Sequence, residues 1–115
     1  RMASLRIENV TFDCVDPAPL ARWWAEQTGG EVHALMPGEF LVVDCGEGPR
    51  LAFQRVPDPT PGKNRIHLDF HTDDPEGAVA RLTAAGASEV ARHAIEDFRW
   101  IVLTDPDGNA FCISG

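Results

Sequence analysis

Over the first fourteen residues the chain alternates in character. Val10, Phe12 and Cys14 are apolar, and the intervening Asn9, Thr11 and Asp13 are polar. A period of two predicts a strand over residues 5–14 with one face of each kind. The period changes at Asp16-Pro17, which stops the strand and opens a helix. Asp16 suits the N-cap and Pro17 the first helical position, where its missing N–H costs nothing. Leu20, Trp23, Trp24 and Gln27 follow at helical spacing, and Gly29-Gly30 closes the helix. Three shorter strands are predicted next, over residues 31–35, 39–45 and 50–56. Pro37-Gly38 and the stretch 46–49 supply the turns between them. The first half therefore reads β-α-β-β-β.

Residues 57–64 carry three prolines and a glycine, which can continue neither a helix nor the centre of a sheet. They predict a short, stiff linker, and hence one domain made of module 5–56 and module 65–115. The second module repeats the order of the first. A strand is expected over 65–72, then a helix capped by Asp74-Pro75 whose apolar positions are Ala78, Val79, Leu82 and Ala85, ended by Gly86. Strands follow over 88–93, 98–104 and 110–114. Asp105-Pro106-Asp107-Gly108-Asn109 is the turn before the last one, since Pro presets φ and Gly or Asn tolerates a positive φ.

The halves also match residue by residue. A shift of 58 places Phe12 on Phe70, Asp16-Pro17 on Asp74-Pro75 and Glu31-Val32 on Glu89-Val90. A shift of 60 places Leu41-Val42-Val43 on Ile101-Val102-Leu103, Gly48 on Gly108, and Leu51-Ala52-Phe53 on Phe111-Cys112-Ile113. Each match is weak alone; together they describe one module written twice.

Composition narrows the partners. The chain has 115 residues, 43% of them hydrophobic, and a net charge of −8 with no basic run. Nucleic acid and anionic membrane are poor partners for such a surface. No apolar run reaches the roughly 18 residues of a membrane span, and no signal peptide is read. Arg1 ahead of Met2 reads as a tag remnant. Three scattered cysteines, Cys14, Cys45 and Cys112, without a CxxC pair, predict reduced thiols and a cytoplasmic protein.

Asp16-Pro17 with the Trp-containing helix, Arg65-Ile66-His67-Leu68-Asp69, Leu82 through Gly86-Ala87, and the stretch from Asp105 to Cys112 resemble the vicinal oxygen chelate superfamily. This is the group of glyoxalase I, bleomycin-resistance proteins and extradiol dioxygenases, and the chain is most similar to its small glyoxalase-like domains. The resemblance implies an α+β fold in which two tandem β-α-β-β-β modules form a curved mixed sheet around a central cleft. It also implies a homodimer, and a small organic molecule as the partner. In metal-dependent members the ligands come from the first and last strands of each module. By position those places are Asn9, Ala52, His67 and Cys112. Ala52 has no ligand atom and an Asn amide suits a transition metal poorly, so no cofactor is expected, and a divalent metal, the open alternative, would meet a degenerate ligand set.

The polar strand faces carry the remaining chemistry. Asn9, Thr11 and Asp13 share one face, and His67, Asp69 and His71 share its counterpart, because side chains alternate. His67 is the candidate acid/base, with Asp69 or Asp13 as its carboxylate partner, for proton transfer next to a carbonyl. The competing reading is that these groups only satisfy one another and join the modules. Arg50 and Gln54, flanking Ala52, would orient an anionic or amide-bearing ligand or else cap a strand end. His71 and Cys112 join the candidate binding residues, although an inert buried thiol is expected of Cys112. Trp100 with Phe40, Val42 and Val102 would give an apolar wall, and Trp23 and Trp24 are expected to anchor the core. The function expected is binding of a small organic molecule, with metal-independent lyase or isomerase chemistry through His67. The alternatives are sequestration of a drug or metabolite and a metal-dependent lyase or dioxygenase.

Overall fold

A computed structural model describes residues 7–115. Residues 5 and 6, where the first strand was expected to begin, lie outside the described residues. The chain divides into two compact units, the first ending at Thr60 and the second running Pro61–Gly115. That boundary falls within the proline-rich stretch 57–64.

The first unit contains β1 (Asn9–Cys14), α1 (Pro17–Thr28), β2 (Glu31–Met36), β3 (Phe40–Asp44) and β4 (Arg50–Arg55). Its sheet has the order β1-β4-β3-β2, with β1 parallel to β4 and the other pairs antiparallel. The helix supplies the crossover that a parallel pair needs. The register places Asn9 beside Arg50, Thr11 beside Ala52 and Asp13 beside Gln54. Ala52 and Gln54 lie in turn beside Val42 and Phe40. These residues form one face. On the other, Phe12 and Phe53 stack at 5.0 Å and Phe12 meets Trp24 at 5.8 Å. Trp24 meets Trp23 edge-on at 5.0 Å, and both indoles are buried with Leu20 and Ala21. The tryptophan pair anchors the helix on the sheet, as expected.

The ends of α1 are set by the residues named from the sequence. Pro17 is its first residue and Gly29 closes it with a φ of 69°. Asp16 occupies the N-cap position, but its carboxylate makes no capping hydrogen bond. Asp74, its counterpart in the second unit, does accept one from the backbone N–H of Gly77, at 3.1 Å.

The second unit contains β5 (Leu68–His71), α2 (Pro75–Ala84), β6 (Ser88–Ile95), β7 (Phe98–Thr104) and β8 (Ala110–Ser114). Its order, β5-β8-β7-β6, repeats the first, again with one parallel pair. The helix buries Ala78, Val79 and Leu82, and Phe70 meets Phe111 edge-on at 6.0 Å.

Two expectations need correction here. The strand expected over 65–72 is only four residues long and leaves out His67. The Asn64 side chain explains this. It accepts from the N–H of Ala110 at 2.8 Å and donates to the carbonyl of Ile66. A side-chain clamp thus takes the start of β8, and residues 65–66 bend instead of pairing. Conversely, β6 runs two residues further than expected, because it follows β7 to its end at the Ile95–Phe98 pair.

The Asp105–Asn109 turn closes on a buried carboxylate. Asp105 is 3% exposed, and its Oδ1 accepts from the backbone N–H of Asp107 at 3.0 Å and of Asn109 at 2.8 Å. The Asn109 amide donates to both carboxylate oxygens, at 3.1 and 2.9 Å. Gly108 supplies the left-handed residue, with a φ of 90°. A buried charge is tolerated when donors surround it in this way.

Candidate functional site

The face of each sheet turned away from its helix carries the candidate side chains. In the first unit Asn9, Thr11 and Asp13 line β1, and Arg50, Ala52 and Gln54 line β4, as the alternation predicts. Asn9 Oδ1 accepts from Arg50 Nε at 3.1 Å. Arg50 also approaches Glu8, at 4.0 Å. The guanidinium is therefore aimed by a neighbouring amide on the same face. Thr11, Asp13 and Gln54 are exposed there.

In the second unit the register joins Asp69 to Cys112 and Cys112 to Val102. It likewise joins His71 to Ser114, Ser114 to Trp100 and Trp100 to His93. All seven side chains share one face. Although His67 precedes the strand, its Nδ1 lies 3.0 Å from Asp69 Oδ1. Two residues apart, the two side chains lie on the same side of the chain and meet directly. A carboxylate only accepts, so Nδ1 is the donor in this pair. His67, Asp69 and Cys112 each offer a ligand or proton-accepting atom, and these atoms lie within 4.8 Å of one another.

Burial pushes the Cys112 thiol up from its ordinary range. The charge of Asp69 and the hydrogen bond to its carboxylate push the same way, against a smaller pull from Lys63. The thiol is buried and held protonated, as an unreactive cysteine would be. Cys14 and Cys45 are free thiols as well.

His71 stands apart from this trio. Its ring pairs with exposed Asp73 at 3.7 Å. Trp100 has more company than its sequence position suggested. Phe98 stacks on it at 5.5 Å and His93 lies 5.1 Å away on its other neighbour strand. Neither Phe98 nor His93 was singled out from the sequence. Phe98 could have been found by stepping two residues from Trp100; His93 needed the strand register. Phe98 and Ile95 are largely exposed, so this aromatic row is an open surface.

Two β-α-β-β-β units with polar faces opposite their helices define the class of scaffold to which this chain belongs. The glyoxalase-like domain model matches residues 9–114, and the chain belongs to that family. Solved structures agree at the level of fold. An enzyme of the glyoxalase/bleomycin resistance protein/dioxygenase family from Burkholderia phytofirmans PsJN superposes with a TM-score of 0.83 at 20% identity, covering 96% of this chain and 98% of that one. A lactoylglutathione lyase from Agrobacterium tumefaciens gives 0.71 at 18% identity, over 99% and 95% of the two chains. TioX from Micromonospora sp. ML1 gives 0.66 at 18% identity, over 94% and 96%. No curated protein matches the chain. No described helix is long and apolar enough to cross a membrane.

Metal-dependent members of the superfamily would place ligands at Asn9, Ala52, His67 and Cys112. The first unit does not fit that role. Ala52 is a fully buried methyl group, and the amide oxygen of Asn9 is engaged by a guanidinium. A cation beside the ligand position opposes a second one. No chemical step is assigned to a metal at this four-place set.

Proposed function

We propose that this chain binds a small organic molecule on the open sheet face of its second unit and that His67 performs metal-independent proton transfer of the lyase or isomerase kind. The observation that carries this reading is the His67–Asp69 pair, 3.0 Å apart on an exposed face shared with an aromatic row. His67 Nε2 takes a proton from a carbon beside a carbonyl. Asp69 holds the ring in the required tautomer and offsets the imidazolium charge. The proton then returns to a neighbouring carbon in an isomerisation, or goes to the leaving group in a lyase reaction. In this reading Trp100 gives an aromatic flank, His71 and Cys112 border the pair, and Cys112 stays a thiol. Taken by itself, the face of the first unit presents Arg50, aimed by Asn9, to an anionic or amide-bearing ligand. Gln54, Thr11 and Asp13 offer hydrogen bonds beside it.

The test separates rate from affinity. A panel of small carbonyl compounds is assayed for turnover and for binding, with the wild type and with H67A. An acid/base predicts lost kcat at nearly unchanged affinity. Equal loss of affinity and no turnover in either protein would leave sequestration of the bleomycin-resistance type. The Phe98–Trp100–His93 row favours that second reading, because stacked rings suit a flat ligand without any chemistry.

The assembly we propose is a homodimer. The outer strands β2 and β6 expose Leu35, Met36, Val90 and Ile95, and uncovered edges of that kind call for a partner. Sedimentation equilibrium showing a monomer at every concentration would remove this element. A cytoplasmic location is proposed with it, from the free thiols.

A further inference from the structure

We propose that the second unit by itself holds one soft divalent cation of the zinc class, through His67, Asp69 and Cys112. The trio supplies a nitrogen, an oxygen and a sulfur, the donor set that zinc-like ions accept. Their ligand atoms already lie within 4.8 Å of one another. Bonds of about 2.0–2.3 Å in a tetrahedron place donors roughly 3.3–3.8 Å apart. The shortfall is about an ångström. The exposed side chains of His67 and Asp69 can close it by rotation, without repacking the core. Cys112, the buried member, is fixed by its strand and sits beside Asp69 in the parallel β5–β8 register.

This site differs from the four-place set considered above. It uses nothing from the first unit, and Asp69 replaces the two positions that cannot ligate. Charge also balances. Binding releases the Cys112 thiol proton to solvent, and one thiolate plus one carboxylate then neutralise the ion. Three protein ligands leave a fourth position to water or to a ligand atom. The ion and the proton-transfer role exclude one another at His67, since a ligated ring nitrogen cannot accept a proton. A cation here would therefore silence the activity proposed above. The binding itself does not depend on that activity.

The experiment is a titration of reduced, chelator-treated full-length protein with cobalt(II), followed by displacement with zinc(II), in the absence of any substrate. The expected result is one equivalent bound, with the intense thiolate-to-cobalt charge-transfer band of a low-coordinate site. C112S should abolish that band. D69N, a change on an exposed side chain that the fold tolerates, should weaken binding at least about tenfold, since one of three ligands loses its charge. The absence of saturable binding overturns the proposal. So does a charge-transfer band that survives in C112S, because the ion would then sit on another thiol. Turnover measured separately decides the proposed function, so the two can fail independently.

Discussion

The carboxylate of Asp105 closes the turn before β8. Replacing it with alanine removes a carboxylate that accepts from two backbone N–H groups and from the Asn109 amide. A net hydrogen bond to a charged group contributes about 1.5–3 kcal/mol, and a stranded buried donor costs about 1–3 kcal/mol. Asp107 is exposed, so water recovers part of its loss; Asn109 is half-buried and recovers less. The expected destabilisation for D105A is about 2–4 kcal/mol, a large share of the roughly 5–15 kcal/mol available to a domain. With a urea slope of about 1–3 kcal/mol per molar, the midpoint falls by about 0.7–4 M at constant slope. D105N should lie between, at about 1–2 kcal/mol, because it keeps one acceptor but turns an amide against the Asn109 amide. Urea denaturation followed by far-ultraviolet circular dichroism measures all three. D97A, on the exposed turn between β6 and β7, is the control and should stay within about 0.5 kcal/mol of wild type. D105A indistinguishable from D97A would refute the reasoning, since it would mean that the turn closes without its buried acceptor.

Gly30→Ala should destabilise by about 1–3 kcal/mol in the same assay, because a β-carbon there would meet Val43 Cγ1 at 2.7 Å and the backbone oxygen of Asp44 at 2.9 Å. Native Cys112 should react with iodoacetamide far more slowly than the unfolded chain at mildly alkaline pH, and D69N should speed it by removing part of the upward push on the thiol. The raised thiol also gives a signed pH effect. Its contribution to stability is full below the ordinary thiol range and is lost as the pH rises through the raised value, so C112S should flatten the alkaline limb of the stability profile. Arg92 binds Glu76 at 2.6 Å and Glu89 at 2.8 Å, and its hydrogen bonds hold both carboxyls below their usual range. That contribution is present above the ordinary carboxylate range and is lost as the pH falls through the lowered values. An E76Q/E89Q variant should show a shallower acid limb, and high salt should reduce the difference.

Alternation along the chain was enough to place the two modules, the helix starts at Pro17 and Pro75, and the polar faces. Those features follow from local periods and from residues whose backbone chemistry is local, so a sequence states them directly. Named motifs, above all the stretch from Asp105 to Cys112, combined with the repeated order, carried the resemblance to the family. The register explains what the sequence left open. Which side chains meet depends on pairing between residues about forty positions apart, such as Asp69 with Cys112, and local pattern carries no information about that. His67 was assigned to a strand that the Asn64 side chain in fact interrupts. Its ring still meets Asp69, at 3.0 Å. Phe98 and His93 join Trp100 only through the β6–β7 ladder. Asp105 read as one more turn residue, yet its role is that of a buried acceptor, because burial is a property of the folded chain. The sequence by itself determined the kind of face this protein presents; the tertiary structure decided which donors on that face touch, since contact across strands is set by hydrogen-bond register.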